Sequence, residues 1–266
     1  MGAVQLYTLG PLEAAHYSAT TPTAKEIAMG VRKNQKNLTK AEWKALISAI
    51  DAMHGTAATA PAYRRFVTLH VDAMSTTHMD WSVHTMRMGG TLMRGKNFLT
   101  WHRRFLKLFE ERLQAVSPAV TVPYWDSITD RSIPTALDDP ALLARWSVTR
   151  NWDASQLGSP ADLVATTTFT GTFTGFQTLL EGAIHAGTHN AVGGDIAGAA
   201  SPTDPLFWLH HAFIDKTWAD WQASPSGKNP PKPSQTLKPV NMDIGVPFGV
   251  KVSSLLSIST LGYSYA

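Results

Sequence analysis

Histidines at helix-face spacing are the residues of this chain that point most clearly to chemistry. His185 and His189 stand four residues apart, so on a helix both rings project from one face and can bind the same metal ion. A glycine-rich turn and a Ser-Pro-Thr-Asp helix start lead from this pair to His211, which predicts a third imidazole on the neighbouring antiparallel helix. His70 and His102 occupy inward-facing positions of two further predicted helices. The spacing therefore predicts two separate histidine sites.

A loop histidine completes the site that contains His70 and His102. Residues 75–97 lack clean periodicity and are expected to form a loop that carries His78 and His84, and both stay candidates. Next to His211, His210 is rotated by about 100° around the same helix. We therefore expect only one of these two neighbours to bind a metal directly and the other to stand behind it.

The composition narrows which metal these histidines would bind. The chain has no cysteine, which excludes thiolate sites such as zinc ribbons, iron–sulfur clusters and blue copper. Ala186 follows His185 where a zinc metalloprotease motif requires glutamate, and the Glu-x-x-His sets of di-iron bundles are missing. Three imidazoles per ion suit copper or zinc. Copper also gives a reason for two neighbouring ions, because a copper pair can bind and reduce O2.

Helix signals place these histidines in a mainly α fold. The predicted architecture is a four-helix bundle that holds a metal pair between its helices, with long irregular loops and a few short strands. A capping box at Thr39 and Glu42 opens the first helix. Residues 126–175, rich in Pro, Asp, Thr and Gly, are expected to form irregular covering loops. The predicted helices span residues 39–53, 60–74, 102–116, 176–189 and 204–223, and residues 250–266 add a short strand or two.

Bulk properties exclude several classes of function. The 266 residues fit one large domain, 1–266, and no break in composition divides them. The formal net charge of +3 is spread along the chain, so no nucleic-acid partner is expected. No apolar run approaches the roughly 18 residues of a membrane span, so no membrane partner is expected either. These features indicate a soluble protein, either cytoplasmic or secreted.

Three motifs together resemble a known family. They are Phe-Leu-Thr-Trp-His-Arg-Arg-Phe at 98–105, Pro-Tyr-Trp-Asp at 123–126 and the segment 201–221, supported by Tyr-Ser-Tyr at 263–265. The combination is similar to the bacterial tyrosinases of the binuclear (type-3) copper family, which also contains catechol oxidases and molluscan haemocyanins. The resemblance covers about residues 28–266.

The resemblance implies a set of six copper ligands. One copper would be bound by His185, His189 and His211. The other would be bound by His70 and His102 together with a middle ligand, which the family usually places about nine residues before the Trp-His pair, where this chain has Met93. We assign the middle position to His84 and keep His78 as the alternative. His210 would then stand behind the ligands.

The resemblance also implies roles for residues around the ligands. Phe207 corresponds to the aromatic residue that covers one copper, and Asp215 to a carboxylate that orients an imidazole. Glu181 resembles the acidic residue that holds a water near the site. Ala186 stands where many strong monophenol hydroxylases have Asn, while Asn190 follows the second ligand of the pair. We include Glu181, Asn190 and Ala186 as the positions that shape catalysis.

The function implied is oxidation of small phenols. A copper monooxygenase/oxidase of this family converts monophenols and/or o-diphenols to o-quinones, with two copper ions as cofactor and O2 as co-substrate. One alternative is a catechol-only or o-aminophenol oxidase, which Ala186 favours, and the other is a haemocyanin-like O2 carrier. Ala199 and Ala200, where relatives often carry a bulkier residue, imply a roomy entrance and argue against the carrier. A copper-loading helper protein is a further implied partner.

Overall fold

The structure, a computed structural model, describes residues 29–55, 62–75, 83–84, 86–88, 91–93, 95–238 and 247–266. His78, the alternative middle ligand, lies outside these residues. The helices are α1 (Lys40–His54), α2 (Ala62–Ser75), α3 (Phe98–Val116), α4 (Pro140–Trp146), α5 (Pro160–Thr167), α6 (Phe173–Leu179), a π-helix (Leu180–Ala186), α7 (Gly187–Val192) and α8 (Leu206–Ala223). The strands are β1 (Gly30–Arg32), β2 (Met86–Met88), β3 (Thr91–Met93) and β4 (Tyr263–Tyr265). Short 3-10 turns at 35–37, 135–137, 154–156, 194–197, 201–203 and 252–255 complete the described elements.

The predicted mainly α fold is confirmed, and four helical segments carry six of the eight described histidines. These segments are α2, α3, the run from α6 through α7, and α8, with α3 packed directly against α8. Large aromatic side chains fill the space between them, and Phe109 stacks on Trp208 with ring centroids 3.6 Å apart. Among the described residues, no helix combines the length and apolar character that crossing a bilayer requires.

The start of α3 differs from the prediction by one turn. The helix begins at Phe98 rather than at His102, and Phe98 and Leu99 are both buried. Asn97 is a residue type that favours a helix N-cap, although its side chain makes no cap hydrogen bond here. The first helix, in contrast, shows the predicted capping box at Thr39 and Glu42 and spans Lys40–His54.

The segment that carries His185 and His189 is not one uniform α-helix. Residues 180–186 form a π-helix, and Gly182 inside it has a non-helical backbone (φ −74°, ψ −118°). π-Turns within α-helices are rare and often mark functional sites. The predicted helix at 176–189 is therefore present but longer, from Phe173 to Val192, and interrupted beside the histidines.

Two regions contain more regular structure than the sequence predicted. β2 and β3 form an antiparallel pair within the segment that was expected to be a loop. Within the expected irregular region, α4 and α5 form because Asp139 and Ser159 cap their N-termini and a proline follows each cap. β4 pairs in parallel with β1, so the described N-terminal and C-terminal segments meet.

A buried ionic network joins these two strands to the helices. Arg32 of β1 donates two hydrogen bonds to the Glu110 carboxylate, from Nε at 3.0 Å and from Nη2 at 2.9 Å. Asp215 of α8 accepts from Arg103 Nε at 2.5 Å and from the hydroxyls of Tyr263 and Tyr265 at 2.7 and 2.6 Å. Burial alone would raise the pKa of Asp215, but the two arginines and two tyrosines lower it below its usual value.

Replacing Arg32 with alanine should strongly destabilise the protein. The substitution leaves Glu110 buried without its cation, which typically costs about 3–5 kcal/mol. The neighbouring Lys33 offers a matched control, because its pair with Glu42 is about 40% exposed and such pairs contribute about 1 kcal/mol or less. Urea unfolding of the Arg32→Ala and Lys33→Ala variants measures both changes, and equal losses would contradict the role given to the buried network.

Candidate metal centre

The first group of histidines brings together three parts of the chain. His70 comes from α2, His102 from the first turns of α3, and His84 from the short segment 83–84. Each offers a ring nitrogen, and these three atoms all lie within 4.8 Å of one another. The ring centroids of His84 and His102 are 4.8 Å apart.

The second group forms between the π-helix, α7 and α8. Ring nitrogens of His185, His189 and His210 all lie within 4.8 Å of one another. His211 also reaches this group, because its Nε2 is 3.3 Å from His189 Nε2. Its neighbour His210, expected to stand behind the ligands, lies with its ring 5.5 Å from that of His185 and 5.2 Å from that of His189. The close crossing of α8 over the π-helix lets two consecutive residues approach the same pair.

Among the described residues, the closest ring contact between the two groups is that of His102 with His211. His211 stacks on His102 with ring centroids 4.2 Å apart and an interplanar angle of 16°. Two phenylalanines, each four residues before one of these histidines, lie beside the pair. Phe207 is 4.0 Å from His211 and 5.2 Å from His70, and Phe98 is 4.9 Å from His102 and 4.7 Å from His185. Both phenylalanines are fully buried, so they keep solvent away from the imidazoles.

Backbone carbonyls fix the orientation of three imidazoles. The Nδ1 of His70 bonds the Ala199 carbonyl at 2.6 Å, that of His102 bonds the Phe98 carbonyl at 2.8 Å, and that of His189 bonds the Ile196 carbonyl at 2.6 Å. Because a carbonyl only accepts, each Nδ1 must carry the proton, which leaves the Nε2 lone pair available. Metal-binding histidines are usually held in this way.

Ring nitrogens that lack a hydrogen-bond partner indicate whether a metal ion fits between the histidines. Buried polar atoms normally have a hydrogen-bond partner, and each exception needs an explanation. The Nε2 atoms of His70, His84, His102 and His185 are buried without one. Neutral imidazoles with no thiolate among them form a donor set that suits copper. The residues present therefore fit two copper ions.

Burial keeps these histidines neutral. The loss of solvent lowers the pKa of His70 to about 3, helped by the neighbouring His84, and that of His189 to about 4. The pKa values of His102, His185 and His211 are also lowered well below the usual range, first by burial and then by neighbouring histidines. Neutral imidazole is the form that binds a metal.

Asp215 does not have the partner that was expected. The sequence suggested that its carboxylate orients an imidazole, but its oxygens are used by Arg103, Arg32 and two tyrosines. Nδ1 of His211, one turn away, is buried without a hydrogen-bond partner. Two arginines attract the carboxylate more strongly than a neutral imidazole does. In the described residues Asp215 therefore joins α8 to α3, β1 and β4 and does not orient an imidazole.

The remaining positions singled out from the sequence lie around the second group. Glu181 is buried in the π-helix, and its Oε1 is 3.4 Å from His84 Nδ1. Ala186 and Asn190 are exposed, one residue after His185 and His189 respectively. Ala199 is exposed as well, and its carbonyl is the partner of His70.

Sequence reasoning missed two features of the site. The carbonyl partners of His70 and His189 come from the turn at 196–199, and backbone atoms leave no trace in residue type. Phe98 received no role from the sequence beyond its place in the motif at 98–105, although it contacts histidines of both groups. Its position four residues before His102, matching Phe207 before His211, was the available signal.

The metal-free protein should lose stability as the pH falls from about 6.5 to about 4.5. Histidine in the unfolded chain has a pKa near 6.5. In the folded protein, burial lowers the pKa of His70 to about 3 and that of His189 to about 4. In this window the unfolded state binds more protons, so the free energy of unfolding falls by up to about 1.4 kcal/mol per pH unit for each such histidine. Carboxylates titrate mainly below this pH window.

Urea unfolding of the metal-free protein across this pH window measures the slope. The His70→Leu variant removes one of the titrating groups. Its free energy of unfolding should therefore change less steeply with pH, by the contribution of one histidine. A flat profile for the unsubstituted protein would contradict burial of the histidines in neutral form.

Sequence comparison places this geometry in a known family. The family model described as the common central domain of tyrosinase matches residues 60–145 and 135–224. A tyrosinase of Streptomyces lincolnensis is 33% identical over 239 residues, covering 73% of this chain and 83% of its own length. Grixazone synthase of Streptomyces griseus is 28% identical over 310 residues, covering 88% of this chain and 98% of its own length.

Solved structures show the same fold at lower identity. Polyphenol oxidase from Grenache (Vitis vinifera) superposes with a TM-score of 0.67 at 18% identity, covering all of this chain and 92% of that one. A functional unit of octopus haemocyanin gives 0.63 at 23% identity, covering 89% of this chain and 68% of that one. With the domain match, the identity to the Streptomyces enzyme and the two histidine groups in place, the chain belongs to the tyrosinase family of type-3 copper oxidoreductases.

Proposed function

We propose that this protein uses two copper ions and O2 to convert monophenols and/or o-diphenols to o-quinones. The observation that carries the proposal is the pair of buried histidine groups, which leave the Nε2 atoms of His70, His84, His102 and His185 without a partner and meet at the His102–His211 stack. A single structural ion would need only one such group. Two adjacent groups of nitrogen donors would hold two copper ions, which suits a reaction that passes two electrons from the substrate towards O2.

We assign His70, His84 and His102 to one copper and His185, His189 and His211 to the other. His210 and His211 compete for the last position. His211 is favoured because its Nε2 stands 3.3 Å from that of His189 and its ring stacks on His102 of the first group. Among the described residues, the ring contacts of His210 are with His185, His189 and His211, all on one side of the centre. His210 then supports the ligands from behind.

When bound, the copper pair supplies O2 binding and the exchange of electrons with the phenol. The chain's own residues hold the imidazoles and exclude water. Backbone carbonyls keep Nδ1 of His70, His102 and His189 protonated, so that Nε2 is always the donor. Phe98 and Phe207 cover the buried side of the imidazoles. The ligand nitrogens are buried, so copper does not reach them directly from solvent. We therefore include in the proposal a helper protein that loads the copper.

We assign Glu181 as the residue that accepts the proton of the phenol. Its carboxylate is the acidic group beside the first histidine group, with Oε1 3.4 Å from His84 Nδ1 and the side chain 8% exposed. A carboxylate in this position can accept a proton directly or through one water. Ala186, next to His185, has no polar side chain to assist.

Glu181→Gln should lower phenol turnover by about tenfold to a hundredfold while leaving the copper content unchanged. The amide keeps an oxygen that can accept from His84 Nδ1, but it no longer takes up a proton. Steady-state oxygen consumption and copper analysis of the same preparation measure the two effects. Glu111→Gln, on a half-exposed pair with Lys107, is the matched control. Unchanged kinetics would remove Glu181 from the proposed mechanism.

A narrower activity is the second candidate. Ala186 is exposed beside His185 and offers no hydrogen bond to a phenol or to a water, which favours an oxidase of catechols or o-aminophenols with weak action on monophenols. These substrates are oxidised more readily and need less help with deprotonation.

Oxygen uptake by the copper-loaded protein with a monophenol, a catechol and an o-aminophenol separates these activities. We expect uptake with the catechol, and a monophenol rate that is lower because Ala186 cannot assist. Turnover of the o-aminophenol or catechol alone would select the narrower activity. Reversible oxygen binding with no turnover of any of the three would instead identify an O2 carrier and contradict the proposal.

A further inference from the structure

His84 is held differently from the other proposed copper ligands. The others lie in helices, where backbone hydrogen bonds fix their positions, whereas His84 lies in the short described segment 83–84 between α2 and β2. Its side chain is 15% exposed. A ligand outside regular structure needs other contacts to hold its backbone in place.

Gly95 supplies one such contact. It lies directly against the backbone of the segment that carries His84. A Cβ built at this position would stand 2.6 Å from the His84 carbonyl carbon, 2.7 Å from the Val83 oxygen and 2.9 Å from the His84 Cα. All three are backbone atoms, so an alanine here would have to displace the ligand's own main chain.

Gln177 of α6 holds Gly95 in turn. Its side-chain amide donates to the Gly95 carbonyl at 2.5 Å, and its amide oxygen accepts from the backbone N–H of Leu99 at 3.4 Å. Gln177 is 2% exposed, so neither bond competes with bulk water. Leu99 lies in the first turn of α3, whose N–H groups have no partner within the helix. Gln177 thus ties the start of α3 to the residue that supports His84.

The same helical segment reaches the imidazole and the other site. Gln177, Glu181 and His185 follow one another at intervals of four residues. Glu181 contacts His84 Nδ1, and the ring of His185 lies 5.3 Å from the ring of His84. One stretch of chain therefore supports the loop ligand of one group and supplies a ligand of the other.

We propose that Gln177 and Gly95 are positioning residues for the loop ligand His84: Gln177 fixes Gly95, and the bare Cα of Gly95 lets this backbone support that of His84. The inference rests on the proposed function, in that it takes His84 as a copper ligand. It assigns a role to two residues that contact no copper and no substrate.

The test measures copper binding at each site separately. In a His189→Ala background the first group is the intact one, and in a His70→Ala background the second group is. Gly95→Ala and Gln177→Leu are introduced into both backgrounds. Gly227→Ala, where an added Cβ would also press on backbone oxygens (those of Trp221 and Gln222) but past the C-terminal end of α8, and Gln35→Leu, at a buried glutamine whose amide bonds Asp130, are the controls. Copper retained per chain is measured against increasing concentrations of a chelator.

We expect Gly95→Ala and Gln177→Leu to lower the chelator concentration that removes half of the copper by about tenfold to a hundredfold in the His189→Ala background. In the His70→Ala background, and in both controls, this concentration should not change. Equal losses in the two backgrounds, or no loss in the first, would overturn the inference. If the His189→Ala parent bound no copper at all, the ligand assignment itself would fail.

A second readout needs no metal. In the metal-free protein, the imidazole nitrogen resonances of His84 should shift in the Gln177→Leu variant while those of His189 stay in place. Gln177→Leu is the milder of the two changes, so it keeps the inference testable if Gly95→Ala fails to fold. Unchanged His84 resonances would show that Gln177 does not position this ligand.

Discussion

The whole structure depends on keeping a cluster of buried imidazoles neutral, with the ring nitrogens of each group within 4.8 Å of one another. Each buried ring nitrogen without a partner costs about 1–3 kcal/mol in the metal-free protein, because it has given up water and gained no hydrogen bond. The carbonyls of Phe98, Ile196 and Ala199 determine which nitrogen is left free. A metal ion is the partner that satisfies these atoms, so binding and stability are linked.

The rest of the fold offsets this local cost. A continuous core of aromatic and aliphatic side chains surrounds the helices that carry the histidines. Behind α3 and α8, Asp215 accepts hydrogen bonds from Arg103 and from the two tyrosines of β4, and Arg32 of β1 joins the same network. Arg103 directly follows His102, and Asp215 is one turn from His211. The network therefore holds together the two helices whose histidines stack.

The sequence was sufficient for the features that depend on periodicity and capping. The spacing of His185 and His189, the apolar stripe of α3 and the capping box of α1 all led to the correct helices. Features made by the backbone were not predictable in this way. The π-helix around Gly182 has no residue signature, and neither do the carbonyls that orient His70 and His189. Asp215 was misread because its spacing from His211 indicates proximity on a helix, whereas its charge attracts arginines.

The two halves of the centre repeat one arrangement. Phe98 precedes His102 and Phe207 precedes His211 by one turn, and the two histidines meet ring to ring at 4.2 Å. The halves differ in their remaining histidines: a helical pair on one side, and a helical and a loop histidine on the other. Gln177, on the helical segment of the opposite half, bonds the Gly95 carbonyl beside the His84 segment.

Anomalous diffraction at the copper absorption edge, from crystals of the copper-loaded protein, tests the central claim most directly. The account predicts two separate copper peaks in each molecule, one enclosed by His70, His84 and His102 and the other by His185, His189 and His211. A single peak, or copper bound away from these histidines, would contradict it.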